Sequence, residues 1–424
     1  MEVPVGAIHV CFKVVCGLDV HQAEVVACLS IQDARGRLRR ETRRFRTVYA
    51  ELLQLRDWLV AEGCEALGME ATGHYWKPIY SILEGHVRMI VGNPTQMKGL
   101  KGRKTDQQDA EWIADLTRLG LIKPSFVPPP DFRALRDFLR TRRGMIQART
   151  TLQNETLKVL EVGGVKLSTF MSSVFGVSGM AMLRALAKGE SVARQVHLLA
   201  KGKLRSKLAD LRLALEQPLP PHLQQILATQ LERMDQLEGH LRTLDARVEE
   251  RMAPYEAERH LLMEISGLGR TSVNVILAEV GVDMGVFPTP AHLAAWAGLA
   301  PGSFETGGKN RRAPTLKGNT YLKTILVECA GAAVRSKGTF FSAKFNQLRR
   351  RGLDYRKALV AIAHKLIVVI HRVLSGKAPF QDLGAAYFEQ RNRAHMIRNL
   401  TRRLETLGFA VTLQNLNIES EPLQ

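Results

Sequence analysis

The sequence predicts a chain of several domains, mixed α/β toward its N-terminal end and all-α beyond. Three observations carry this expectation. Residues 12–46 hold three successive apolar or β-branched runs of strand length, and residues 48–120 then alternate between helical and strand patterns. Past residue 131 the strand signal stops, and apolar residues recur at three- and four-residue spacing over long stretches. A length of 424 residues is also too great for one hydrophobic core.

In chain order, strands are expected at 12–20, 23–32 and 38–46, with Asp33-Ala34-Arg35-Gly36 as the second turn. A helix over 48–62 places Leu52, Leu53, Leu55, Trp58 and Leu59 on its buried side. A strand ending at Glu70, a helix over 75–84, a strand over 87–91 and a helix bearing Asp106 and Asp109 follow. Three antiparallel strands succeeded by alternating helix and strand is the order of a ribonuclease-H-like fold. Pro124, Pro128, Pro129 and Pro130 mark a boundary. Residues 132–160 then form a long basic helix, and 161–200 are punctuated by Gly and Ser with weak periodicity. After Pro218-Leu219-Pro220-Pro221 a second long helix carries Leu227, Leu231, Met234, Leu237, Leu241, Leu244 and Val248. That is a coiled-coil seam, able to pair with 132–160 or with another subunit. From residue 258 the character changes again. The expected divisions are 1–125 (α/β), 131–255 (helical, coiled-coil), 258–380 (mostly helical) and 381–424 (polar tail).

The chemistry suggested by the residues is concentrated in four acids. Asp19 lies on an expected central strand, where an unpaired carboxylate is costly unless a metal or partner neutralises it. Glu70 ends another apolar strand, and Asp106 and Asp109 are three apart at a helix start, so they face the same way. Together they suggest a divalent-metal site of the Mg²⁺ kind, since Mg²⁺ prefers oxygen ligands. Two such ions about 4 Å apart stabilise both the attacking and the leaving oxygen of a phosphoryl transfer. His21 and His74 flank two of the acids in sequence, as substrate-positioning or supporting groups or as packing histidines.

Cations and glycines mark the expected nucleic-acid contacts: Lys104 beside the acidic helix, and Arg142 and Arg143 on the long basic helix. Gly267-Leu268-Gly269-Arg270 resembles the turn of a helix-hairpin-helix, which aims backbone N–H groups at a phosphate. Residues 303–323 read as a loop fit to grip a phosphodiester, with Lys309, Arg311, Arg312 and Lys317 among hydroxyls and glycines.

Composition supports a polyanionic partner. Lys and Arg number 60 against 41 Asp and Glu, a net charge of +19, which favours nucleic acid. A membrane-surface protein would need an anchor, and neither a signal peptide nor an uncharged 18-residue apolar run is found. The apolar stretch 358–374 is interrupted by His364, Lys365, His371 and Arg372 and reads as a buried helix. Five scattered cysteines without a Cys-x-x-Cys pair argue against disulfides and zinc fingers, so a reducing cytoplasm is expected.

Taken together, Asp19, Glu70, Asp106 and Asp109, then Gly267-Leu-Gly269, Trp296-Ala-Gly-Leu, Glu305-Thr-Gly-Gly-Lys309 and Lys317-Gly318-Asn319, resemble the DEDD transposases of a bacterial insertion-sequence family. The likeness covers most of residues 12–375. It implies a RuvC-like N-terminal domain, a separate C-terminal transposase domain and Mg²⁺ at the four acids. It further implies a serine nucleophile in the C-terminal domain and a structured guide RNA, the bridge RNA, pairing with both donor and target DNA. Dimers or tetramers whose active sites combine domains from two subunits, and a cytoplasmic, nucleoid-associated location in a bacterium, are implied as well.

This chain departs from the family pattern at one point: Thr306 stands where the family usually has serine. A threonine hydroxyl can attack phosphorus, although its methyl restricts χ1. A threonine nucleophile, Ser303 in that role, or impaired catalysis all remain open from sequence. The expected function is DNA strand cleavage and rejoining through a covalent hydroxyl–phosphate intermediate. The rivals are a metal-dependent, junction-resolvase-like nuclease and a non-catalytic nucleic-acid-binding protein.

Overall fold

The computed structural model describes residues 10–97, 105–306, 309–315, 317–382, 384 and 386–413, with backbone alone at 95–96, 303–306, 309–313, 386 and 388–396. The chain divides into two compact units, Met1–Val127 and Pro128–Gln424.

The first unit is mixed α/β. β1 (Val14–Val20), β2 (Glu24–Gln32) and β3 (Leu38–Arg46) form an antiparallel meander. Then come α1 (Tyr49–Ala61), β4 (Ala66–Glu70), α2 (Trp76–Leu83), β5 (Arg88–Gly92), α3 (Pro94–Met97) and α4 (Asp106–Arg118). The sheet order is β3-β2-β1-β4-β5, with β4 parallel to both β1 and β5. Every strand and helix expected over 12–118 is present, with ends shifted by a residue or two.

Side chains alternate across the sheet because the strand period is two. One face puts Cys16, Leu18, Val25, Ala27, Leu29, Leu67 and Met69 against Leu52, Leu55, Trp58 and Leu59 of α1 and Ile79 and Leu83 of α2. The other puts Val15, Val26, Cys28, Ala66 and Ile90 against Ala110, Ile113 and Ala114 of α4. On that second face Gly17 and Gly68 remove the side chains that would hold α4 away. A Cβ on Gly17 would stand 2.2 Å from the Ala110 carbonyl oxygen and 2.3 Å from the Ala114 nitrogen. One on Gly68 would stand 2.0 Å from Thr117 Oγ1. The helix therefore lies directly on the backbone of the two central parallel strands. Arg40 of β3 fastens it laterally, with Nη2 donating to both Asp115 carboxylate oxygens at 2.8 Å.

The second unit is mostly helical. α5 (Pro130–Val162) and α10 (Pro221–Met252) are its longest helices, each with proline in the first turn. They run antiparallel: Arg149 pairs with Glu238 at 2.6 Å, and seven residues earlier on α5 Arg142 pairs with Asp245, seven residues later on α10. Of the two pairings expected for the apolar seam, the one within the chain is the one described, with Leu227, Leu231, Met234, Leu241 and Val248 buried. Residues 161–200, weakly periodic in sequence, contribute to a compact helical cluster. α6 (Leu167–Phe170), α7 (Val177–Ala187), α8 (Val192–Leu199) and α9 (Leu208–Ala214) enclose a core of Leu160, Val165, Met182, Leu183, Val196, Leu211 and Leu227.

Beyond these lie α11 (Glu256–Met263), α12 (Arg270–Val280), α13 (Pro290–Trp296), β6 (Pro301–Thr306), β7 (Lys309–Thr315), α14 (Thr320–Ala333), α15 (Phe340–Arg350), α16 (Tyr355–Gly376) and α17 (Ala386–Thr406). α16 is long and apolar enough by length and composition to cross a membrane. Here Ala358, Ile362, Ala363, Leu366, Ile367 and Ile370 are fully buried, and the helix packs on α11, α13, α14 and α15. The expectation of a loop over 303–323 is corrected. β6 and β7 form an antiparallel hairpin whose register pairs Thr306 with Lys309. A two-residue Gly-Gly connection suits such a hairpin, and the Arg-rich composition masked the strand pattern.

Candidate active site

The site is built at the C-terminal ends of β1 and β4. These strands run parallel in register, with Gly17 beside Gly68 and Leu18 beside Met69, so the next pair along is Asp19 and Glu70. Two-residue alternation puts Asp19 on the face of Val15 and Gly17, and Glu70 on the face of Ala66 and Gly68. Both acids therefore share the α4 face. The same Gly-x-acid pattern on each strand explains this: the glycine admits the helix, and the acid two residues on stands beside its N-terminus.

α4 begins with Asp106. Thr105 caps it, its hydroxyl accepting from the Gln108 N–H at 3.3 Å, and Asp106 and Asp109 occupy the first turn, where the helix dipole favours acids. His21, just past β1, is pinned in the β1–β2 turn by its N–H donating to the Glu24 carbonyl at 3.0 Å. Its Nε2 lies 3.0 Å from Asp19 Oδ2 and 3.6 Å from Asp106 Oδ1. One ligand atom from each of Asp19, His21 and Asp106 falls within 4.8 Å of the others. Glu70 is half-buried on the neighbouring strand, its Oε2 3.5 Å from the Thr72 hydroxyl. Burial pushes the Asp19 carboxyl up from its usual range. His21 pulls it back, and the charges of Asp106 and Asp109 add to the rise. An acid pushed up by burial and by neighbouring carboxylates is one whose charge a divalent cation relieves. Asp19 and Asp106 supply the oxygens such an ion prefers, while Glu70 and Asp109 stand on the same face outside that close group.

His21 is thus closer to the acidic pair than its sequence position advertised, whereas His74 lies exposed in the turn before α2.

The residues expected to touch nucleic acid are placed variously. Lys104 lies outside the described residues, as do the side chains of Thr306, Lys309, Arg311 and Arg312. Arg142 is paired with Asp245, and Arg143 stands over the Tyr321 ring at 5.4 Å. Gly267 is a packing glycine: at φ +91° its Cβ would meet the Ala333 nitrogen and Cys329 oxygen at 2.6 Å. Gly269 caps α12 by donating to the Ser272 hydroxyl at 2.9 Å. Arg270 is engaged by Glu249 at 2.6 Å and Glu256 at 3.3 Å. That engagement, with Arg259 and Asn274 also on Glu249, holds the Glu249 carboxyl down to about 2. Lys317 is exposed. Its neighbour Gly318 packs on the backbone of Trp296 and Gly298, and Asn319 caps α14 while donating to Glu279 at 2.7 Å. Glu279, 2% exposed, also holds Arg136 at 3.1 Å and Arg140 at 2.9 Å, tying α5, α12 and α14 together.

Comparison with known proteins agrees with this layout. A DEDD-type profile described as a transposase matches residues 16–163, which include all four acids. A second, described as the transposase IS116/IS110/IS902 family, matches residues 259–346. A protein of Pseudomonas aeruginosa named probable family 20 transposase is 29% identical over 331 residues, covering 76% of this chain and 87% of the relative. The 43.6 kDa protein of insertion element IS110 from Streptomyces coelicolor is 33% identical over 116 residues, 27% of this chain and 28% of its own length. The pilin gene-inverting protein of Moraxella bovis is 25% identical over 122 residues, 28% and 38% of the two chains. With an N-terminal DEDD segment and a C-terminal segment each matched in order, the chain belongs to the IS110 family of transposases, enzymes that recombine DNA.

Proposed function

We propose that this transposase cuts and rejoins DNA strands at a Mg²⁺ site held by Asp19, Glu70, Asp106 and Asp109, within a ribonuclease-H/RuvC-like domain. The observation that carries the reading is the shared face: Asp19 and Glu70 end adjacent parallel strands on the side where α4 presents Asp106 and Asp109. A bound divalent ion supplies positive charge at a scissile phosphate and makes an attacking hydroxyl more acidic. The acids hold that charge in place, and Gly17 and Gly68 set the distance at which α4 delivers its pair.

Thr306 is proposed as the nucleophile. Its hydroxyl oxygen bonds to phosphorus as one P–O ester bond of the strand breaks, its proton leaving and the departing sugar oxygen taking one up. A strand hydroxyl then reverses the exchange, so no phosphodiester is lost overall. Lys309, Arg311 and Arg312 follow Thr306 closely in sequence, and cations at such a site offset the charge of a pentacoordinate phosphorus. A structured RNA that pairs with donor and target DNA is proposed as the source of sequence choice. Assembly as a homodimer or tetramer belongs to the same proposal. The net charge of +19 suits such partners.

Trapping the covalent adduct tests the chemistry. Thr306→Ala should abolish protein joined to DNA, Thr306→Ser should keep or increase it, and Ser303→Ala should leave it unchanged. An adduct surviving Thr306→Ala moves the nucleophile elsewhere. Cleavage with no adduct in the unaltered protein favours a metal-dependent nuclease.

A further inference from the structure

Resting on the metal reading above, we infer that His21 is itself an inner ligand, giving the site a mixed nitrogen–oxygen donor set that prefers Mn²⁺ to a degree that carboxylates alone do not. The geometry is specific. Around an octahedral ion with metal–ligand bonds of about 2.1 Å, neighbouring ligand atoms stand about 3.0 Å apart and opposite ones about 4.2 Å. His21 Nε2 to Asp19 Oδ2 is 3.0 Å, the separation of neighbouring ligands, and His21 Nε2 to Asp106 Oδ1 is 3.6 Å. All three ligand atoms lie within 4.8 Å of one another, so one ion can reach them together.

His21 is also prepositioned. Val20 pairs with Val25 in the β1–β2 ladder, and the His21 N–H is held by the Glu24 carbonyl, so the ring is presented from a tight turn rather than a free loop. Coordination needs the Nε2 lone pair, so in the metal-bound form the imidazole hydrogen resides on Nδ1. Imidazole suits transition metals, whereas Mg²⁺ demands near-ideal oxygen octahedra.

The experiment adds MnCl₂ to the purified full chain and reads Mn²⁺ by electron paramagnetic resonance, with pulsed measurement of coupling to ¹⁴N. His21→Gln keeps an N–H donor for Asp19 but removes the imidazole, and thermal melting confirms that it folds. Nitrogen coupling in the unaltered protein, lost in His21→Gln, together with a fall of about tenfold or more in Mn²⁺ affinity and little change for Mg²⁺, supports the inference. Mn²⁺ that binds without nitrogen coupling, and is lost in Asp19→Asn, overturns His21 as a ligand while the metal site of the acids stands. Mn²⁺ binding that Asp19→Asn leaves unchanged, or no binding at all, overturns both.

Discussion

Gly17→Ala probes how the acids are brought together without touching any of them. The added Cβ would stand 2.2 Å from the Ala110 oxygen and 2.3 Å from the Ala114 nitrogen, whereas ordinary contact begins at 3.4 Å. Both are backbone atoms of α4, so no side chain can swing aside, and the helix must retreat by about 1 Å or β1 must bend. Overpacking of this kind costs about 1–3 kcal/mol of stability. The catalytic effect is larger in proportion, because misplacing a reacting group by about 1 Å costs about a hundredfold in rate. Urea denaturation of the full chain reads the first quantity, and Mg²⁺-dependent DNA strand cleavage reads the second. Gly144→Ala is the control: Gly144 lies within α5 with nothing near its absent Cβ, and the change should stabilise by up to about 1 kcal/mol. Gly17→Ala with unaltered unfolding and unaltered cleavage would refute the claim that direct helix-on-strand packing sets the site.

Two further outcomes are expected from the second unit. Glu279→Gln strips the charge from a buried carboxylate that neutralises Arg136 and Arg140, and breaking such a pair costs about 3–5 kcal/mol; a urea midpoint unmoved by the change would contradict this. Glu249, whose carboxyl is held down to about 2 by Arg270 and Arg259, contributes stability that is complete above the ordinary carboxylate range and fades as pH falls toward 2. Its side chain is partly exposed, so solvent screening keeps the contribution small. Stability of the unaltered chain should fall more steeply than that of Glu249→Gln as the pH is lowered from 5 toward 2, and parallel curves would show that the ion pairs carry no net stabilisation.

Much of the first unit was legible because its strands are short, apolar and bounded by turn residues, and because its helices keep a clear buried side. Asp19 and Glu70 could be selected from sequence since each stands near the end of an apolar strand, and Asp106 and Asp109 since they stand three apart at a helix start. What local patterning left hidden was distance. The helical cluster across 161–219 is held by contacts between short helices that are individually weak signals. Arg142 and Arg270 were expected at nucleic acid, and their ion pairs with Asp245 and Glu249 are beyond any local pattern because those partners lie far along the chain. Gly267 was read as part of a phosphate-facing turn, and its close approach to the backbone of α14 could not be seen from sequence. The β6–β7 hairpin escaped notice because its residues do not alternate in polarity.

Asp19→Asn tests most directly the proposal that two strand acids and two from α4 hold the ion that drives strand cleavage. The change keeps the size and a hydrogen-bond acceptor at the end of β1 while removing the charge beside His21, Asp106 and Asp109. With the folded variant and Mg²⁺, DNA strand cleavage should fall to background while nucleic-acid affinity stays within about twofold, since the basic surface that dominates affinity is intact. Cleavage at the unaltered rate by Asp19→Asn would place the chemistry elsewhere in the chain.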